Sequence, residues 1–260
     1  MRFTTKLSVL LIAALTVVVA ASPVLAGDRL DRIMKEKILR VGTPGDYRPF
    51  AMVANGVYEG FDVDLIQLMA KDLGVEIQFV ATTWPKLMED FKADKYDVAL
   101  GGITRNVTRV SQCDFLPGYA PFGKVALIRI EDKGKFTTPE SLNQPGVRVI
   151  KNPGGTNEKY VLDHLTKAQV STHEKNAEIP GLIAEGKGDV MITETYEALL
   201  YAKKDPRLYA AFVDNPLTPA NSLGFMIQND DPDFVRMMNF LWETRELRGE
   251  MEECRVKWLK

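Results

Sequence analysis

The same succession of strands and helices is written twice in this chain. Ile38–Thr43 is an apolar, strand-like run. Gly60-Phe61-Asp62-Val63-Asp64 opens a helix whose core face is Ile66, Met69 and Leu73, at spacings of three and four, with Gly74 as its stop. Val75, Ile77 and Phe79 alternate with polar residues as a second strand. Trp84-Pro85 begins a short helix through Leu87, Met88 and Phe91, and residues 97–100 make a third strand. From residue 147 the order recurs: strand 147–150, helix 157–165, strand Gln169–Thr172, helix 179–185, strand 189–193, then a helix from Glu194. Asp94-Lys95-Tyr96-Asp97-Val98 and Gly186-Lys187-Gly188-Asp189-Val190 stand at the same step of each run. In both, a polar turn with lysine feeds Asp-Val and a strand. A β-α-β-α-β order implies a mostly parallel sheet covered by helices. The chain therefore predicts an α/β protein of two similar lobes.

Two extended runs, 124–130 and 222–227, predict the crossings between those lobes. Asp231-Pro232 then caps a helix carrying Phe234, Met237, Met238 and Leu241, expected to return to the first lobe. The predicted division is 1–26 a signal peptide, 27–122 lobe 1, 123–220 lobe 2 and 221–260 the return. Residues 1–26 carry Arg2 and Lys6 before an apolar stretch, and Val24-Leu25-Ala26 suits a signal peptidase. The apolar stretch is short for a membrane span. The reading is a cleaved leader and a mature chain outside the cytoplasm, with no stable membrane insertion.

The formal charge of the whole chain is -2. Without Arg2 and Lys6, 31 basic residues face 35 acidic ones, a net -4. That composition argues against a nucleic-acid partner. Cys113 and Cys254 are too few for a disulfide scaffold, and their spacing leaves open whether they pair. His164 and His173 have no spaced partner, so no metal site is expected.

A cleft between hinged lobes is a natural place for a small molecule. Asn152-Pro153-Gly154-Gly155-Thr156-Asn157 follows a strand and precedes a helix. Glycine lets such a turn tighten, and the first helical N–H groups lack intrahelical partners. A carboxylate or phosphate suits that spot, helped by the helix dipole. An ordinary capped turn would look the same. Pro44-Gly45-Asp46-Tyr47-Arg48-Pro49-Phe50 is a loop just past a strand end, where ligands gather in open α/β sheets. Arg109, or its neighbour Arg105, could hold a carboxylate with two hydrogen bonds. Thr193 can cap the helix that follows it. Glu194 and Glu197 are three apart and share a helix face. Glu197 is followed by Leu200 and Tyr201 rather than a lysine, so no helical salt partner offers itself. Desolvation in a closing cleft would raise its pKa and suit it to general-acid work.

Taken together, these residues resemble the type II periplasmic solute-binding proteins of the polar amino-acid class. Gly60-Phe61-Asp62-Val63-Asp64, the 101–104 turn followed by Arg109, and the 189–194 strand carry that resemblance. More narrowly, the chain resembles the periplasmic cyclohexadienyl dehydratases, enzymes on the same fold. Gly45-Asp46-Tyr47-Arg48-Pro49-Phe50, Trp84-Pro85, Gly123-Lys124, Asn152 through Lys159 and Glu197-Ala198 carry this closer likeness.

The resemblance implies a two-lobe fold with two hinge strands. It implies conversion of prephenate to phenylpyruvate and of L-arogenate to phenylalanine, with loss of water and CO2 and no cofactor. Glu197 is then the general acid, while Lys124 and Asn152 orient the ring substituents and the departing carboxylate. Arg109, Thr156 and backbone N–H groups hold carboxylate, and Asp46, Tyr47 and Trp84 shape the pocket. Gly102, Thr104, Gly155, Asn157 and Glu194 complete the expected substrate site. Aspartate is more usual where Glu194 stands, and in the binders that position meets the ligand amine. The alternative on the same fold is a non-catalytic receptor handing an amino acid or small organic acid to an ABC permease.

Overall fold

A computed structural model describes residues 28–260; the expected signal peptide, 1–26, lies outside them. The twofold plan of the sequence is repeated in the sheets. In the first, Ile38–Thr43 lies between Glu76–Ala81 and Val98–Ala99, all parallel. In the second, Arg148–Lys151 lies between Gln169–Thr172 and Val190–Glu194, again parallel. Each sheet is extended by an antiparallel strand that enters across the hinge. Met226–Ile227 joins the first, with Asp114–Phe115 beyond it. Lys124–Arg129 joins the second, with Leu208–Ala211 beyond it.

The hinge is a separate antiparallel pair, Ala120–Phe122 with Asn221–Leu223. Sequence reasoning makes 124–130 one of the crossings. The structure corrects this: the chain crosses just before Gly123, and Lys124–Arg129 is an inner strand of the second sheet. Its residues Lys124 to Ile128 are buried without alternation, as in a strand covered on both faces. An unbroken apolar run of that kind reads the same in sequence whether it spans two lobes or fills one.

Lys124–Arg129 also divides the second core. Ala126 and Ile128 pack with Phe136, Val149 and Ile192 on one face, and Val125 and Leu127 with Ile150, Ile183 and Met191 on the other. The first core gathers Phe50, Phe61, Ile66, Met69 and Leu73 with Phe234, Met238, Leu241 and Trp242. The last four lie on the Pro232–Leu247 helix. Asp231 caps that helix by accepting the N–H groups of Asp233 at 2.9 Å and Phe234 at 3.1 Å.

The Asp-Val recurrence has a shared physical purpose. Asp97 accepts the Arg40 N–H at 2.9 Å and its guanidinium at 2.7 Å. Asp189 accepts the Arg148 N–H at 2.9 Å and its guanidinium at 2.7 Å. Each aspartate thus ties the start of the third strand to the start of the first. Further arginines complete both clamps, Arg29 and Arg32 on Asp97 and Arg129 on Asp189. These cations outweigh the burial that opposes charge, and both carboxyls are held below the usual range.

Candidate active site

Parallel strands of both lobes point their carboxyl ends at one gap. Thr43 leads into Asp46 and Tyr47, and Ala99 into Gly102 and Thr104, from the first lobe. Lys151 leads into Asn152, and the last strand ends at Glu194 itself, from the second. This is where open α/β sheets collect ligands. The gap holds a small cavity lined by Tyr47, Trp84, Gly102, Thr104, Arg109, Asn152, Gly154, Gly155, Thr156, Asn157, Asn176 and Glu194.

Ten of these twelve are residues that the sequence singles out; Gly154 belongs to the same turn, and Asn176 does not figure there at all. No motif marks Asn176. It opens the short turn Asn176–Glu178 after an exposed edge strand, where sequence patterns are least informative.

The helix of the second lobe begins two residues earlier than expected, at Gly155–His164. Gly154 and Gly155 both have positive φ, 77° and 76°, which only glycine adopts without penalty. The turn is braced from behind: Glu158 accepts the Gly154 N–H at 2.8 Å and the Lys151 ammonium at 2.5 Å. Thr156 and Asn157, on the first helical turn, face the cavity with their side chains.

Lys124 and Glu194 are direct partners across two antiparallel strands, which places their side chains together. The Lys124 ammonium donates to Glu194 Oε1 at 3.0 Å, to Thr156 Oγ1 at 3.1 Å and to Asn157 Oδ1 at 2.5 Å. The Tyr47 hydroxyl donates to Glu194 Oε2 from the opposite lobe. Burial works to raise the Glu194 pKa, but the Lys124 charge and the hydrogen bonds from Tyr47, Lys124 and Asn157 outweigh it. Glu194 is therefore held charged, below its ordinary range.

Arg109 is the arginine of the cavity. It sits in the Val107–Val110 helical turn, capped by Asn106, and donates Nη1 to the Thr104 carbonyl at 2.8 Å. Arg105 instead leans on Ser222 Oγ at 3.4 Å and lies outside the lining. Asp46 also lies outside it, where it accepts Trp84 Nε1 at 2.9 Å and fixes the indole on the cavity wall. Gly102 is pinned from below by Asp62, whose Oδ2 accepts the N–H groups of Gly101 and Gly102, each at 2.8 Å. Burial pushes that carboxyl up to about 7, against the pull of its hydrogen bonds.

Glu197 is placed differently from the sequence expectation. It is fully buried and does not line the cavity. It occupies the third position of the Thr195–Lys204 helix, and helical side chains lean toward the N-terminus. The carboxyl therefore turns back to Thr193, whose hydroxyl donates to Oε2, and to Asn176, whose Nδ2 donates to Oε1 at 2.7 Å. The expected cap is corrected too: Glu194 is the N-cap residue, and the Thr193 hydroxyl serves Glu197. Burial pushes the Glu197 carboxyl well above the usual carboxylate range, the Glu194 charge adds to this, and the Thr193 and Asn176 bonds pull back only in part.

The two lobes touch through this site. Thr104 Oγ1 and Thr156 Oγ1 are 3.2 Å apart, and Tyr47 reaches Glu194. The arrangement offers two cations, one fixed carboxylate and, behind the wall, one carboxyl whose pKa burial raises. Cys113 and Cys254 are free and buried and are not part of this lining; the Cys113 thiol donates to the Arg109 carbonyl at 3.2 Å. His164 is exposed and His173 pairs with Glu178 at 2.8 Å.

Comparison with known proteins fits this geometry. Residues 39–260 match the bacterial extracellular solute-binding proteins, family 3. The chain is 37% identical over 250 residues to a cyclohexadienyl dehydratase of Pseudomonas aeruginosa, covering 96% of this chain and 92% of that one. A crystal structure of an ancestral cyclohexadienyl dehydratase is 47% identical, with a TM-score of 0.54 over 89% of this chain and 96% of that one. An ancestral amino acid-binding protein, a precursor of cyclohexadienyl dehydratase, is 34% identical with a TM-score of 0.80, over 89% of this chain and 99% of that one.

Proposed function

The chain belongs to the bacterial extracellular solute-binding proteins, family 3, and on that footing we propose that it works as a cyclohexadienyl dehydratase. It converts prephenate to phenylpyruvate and L-arogenate to phenylalanine. The observation that carries this reading is the identity pattern. The match to an ancestral dehydratase is 47%, against 34% to the ancestral binding protein that preceded such enzymes.

The chemistry asks for an acid. Protonation of the ring hydroxyl turns it into water, and the C–O bond breaks. The electron pair of the bond to the ring carboxylate moves into the ring, CO2 leaves, and the ring becomes aromatic. Glu194 and Glu197 are carboxyls pushed apart in pKa by their surroundings, one charged beside Lys124 and one neutral by burial. Such a separation supports assigning the acid to the neutral member. Glu197 delivers its proton at the corner of the cavity where Asn176 stands, and regains it from solvent afterwards. Arg109 in the lining, and Lys124 behind Thr156, Asn157 and Glu194, supply the positive charge that a dicarboxylate needs, with Asn152 and the 155–157 turn as further donors.

The small-molecule ligand is amino-acid-like, as in the family. We further place the chain in the periplasm, with a removed leader. A receptor for an ABC permease is the second reading, favoured by the charged Glu194 in the cavity, which suits a ligand ammonium. Purified protein mixed with prephenate separates them. Appearance of phenylpyruvate at many turnovers per molecule is expected. No turnover, together with thermal stabilisation by one amino acid, would replace the enzyme with the receptor.

A further inference from the structure

We infer that Asn176 is a substrate-contacting residue that orients the leaving hydroxyl of a cyclohexadienol for Glu197. Its side chain is 1% exposed and lines the cavity. Its Nδ2 is committed to Glu197 Oε1 at 2.7 Å. Its Oδ1 is buried with no hydrogen-bond partner.

A buried carbonyl oxygen left without a donor is costly, and a site built this way favours the ligand that supplies one. None of the cavity's donors reaches Asn176 Oδ1. The Lys124 ammonium serves Thr156, Asn157 and Glu194, and the Tyr47 hydroxyl serves Glu194. The donor for Asn176 is thus to come from the ligand. Carboxylates bring none; an ammonium comes only with L-arogenate, and the ring hydroxyl brings one in both substrates.

This rests on the dehydratase reading, and it gives that reading its missing link. Glu197 is one side chain back from the cavity, and Asn176 bonds it from the lining. A ring hydroxyl that gives its hydrogen to Asn176 Oδ1 keeps its lone pairs free for the incoming proton. The oxygen leaves as water, the ring carboxylate leaves as CO2, and Asn176 is unchanged. Asn176 moves no proton; it fixes the oxygen that receives one.

The test compares ligands with and without the hydroxyl. On a Glu197→Gln background, which halts turnover and still offers Asn176 an acceptor, calorimetry gives Kd for prephenate and for phenylpyruvate. Adding Asn176→Leu is expected to weaken prephenate about tenfold or more and phenylpyruvate less than about threefold. Equal weakening of both ligands marks a structural role and overturns the assignment, as does no change in either. Failure of the Glu197→Gln protein to bind prephenate at all overturns it as well. Should Asn176→Leu fail to fold, Asn176→Ser is read in the same way, with phenylpyruvate binding as proof of a sound site. Turnover by the wild-type protein is a separate measurement. A protein that binds as expected but never forms phenylpyruvate loses the reaction and keeps the contact.

Discussion

Glu194 and Glu197 stand three positions apart and their pKa values are pushed in opposite directions, Glu194 down beside Lys124 and Glu197 up by burial. Their surroundings, rather than their type, assign the work. Replacing Glu197 by Gln is expected to lower kcat by about 10²–10⁴-fold, with prephenate binding retained; steady-state kinetics and calorimetry check both halves. Because the acid must carry its proton, kcat should hold at low pH and fall as pH rises through the raised Glu197 pKa. Stability follows the same sign. The native state keeps a proton that the unfolded chain has already released, so stability is full below the ordinary glutamate value and declines as pH rises through the folded one. Melting temperature against pH should be flatter in Glu197→Gln. Glu194→Gln should act in another way. It removes the negative charge beside Lys124, so L-arogenate, which carries an ammonium, should lose about tenfold in affinity relative to prephenate, a cost near 1.4 kcal/mol. Equal change for both ligands in a calorimetric comparison would show that Glu194 never meets the amine.

At the level of elements, the two Asp-Arg clamps do the same task in each lobe. Asp189 is nearly buried and binds Arg129 and Arg148 together with the Arg148 N–H. Asp189→Ala removes the partner of the Arg148 N–H and guanidinium, while Arg129 keeps Asp132 and Glu131, and should cost about 1–3 kcal/mol. A melting curve that moves by less than one or two degrees would refute the clamp. The doubled pattern that predicts the lobes was legible because alternation and helical spacing survive in short runs, and the Asp-Val recurrence marked a buried contact. The 152–157 turn was legible because two glycines between a strand and a helix leave few conformations. Other parts were not. Residues 125–128 are uniformly apolar, and only their neighbours decide where such a run lies. Asn176 is one polar residue in a short turn, and its meaning comes from Glu197, twenty-one positions later. The backward lean of Glu197 depends on where its helix starts, and that boundary fell at Thr195 rather than Glu194.

Across the whole molecule, the structure is the closed arrangement of two lobes on a hinge of two short strands. Gly154 marks how close they come. A Cβ there would lie 2.6 Å from Pro85 N and 2.8 Å from its Cδ, atoms of the opposite lobe. Gly154→Ala should therefore hinder closure, on top of the backbone penalty of about 1–2 kcal/mol that its positive φ imposes on folding. Ligand affinity should fall by about tenfold or more as the competent state is depleted. Small-angle scattering with prephenate present should record a larger radius of gyration than for the wild type. An unchanged radius and affinity would mean that the cleft tolerates the extra carbon. The placement of Met226–Ile227 has a consequence of another kind. That strand lies between Val98–Ala99 and Asp114–Phe115 and belongs to the sheet begun by the earliest described residues. The half that starts first is thus finished last, while the middle of the chain holds a sheet of its own. During synthesis the central part can mature ahead of the beginning, which must wait, gapped, until the final forty residues arrive.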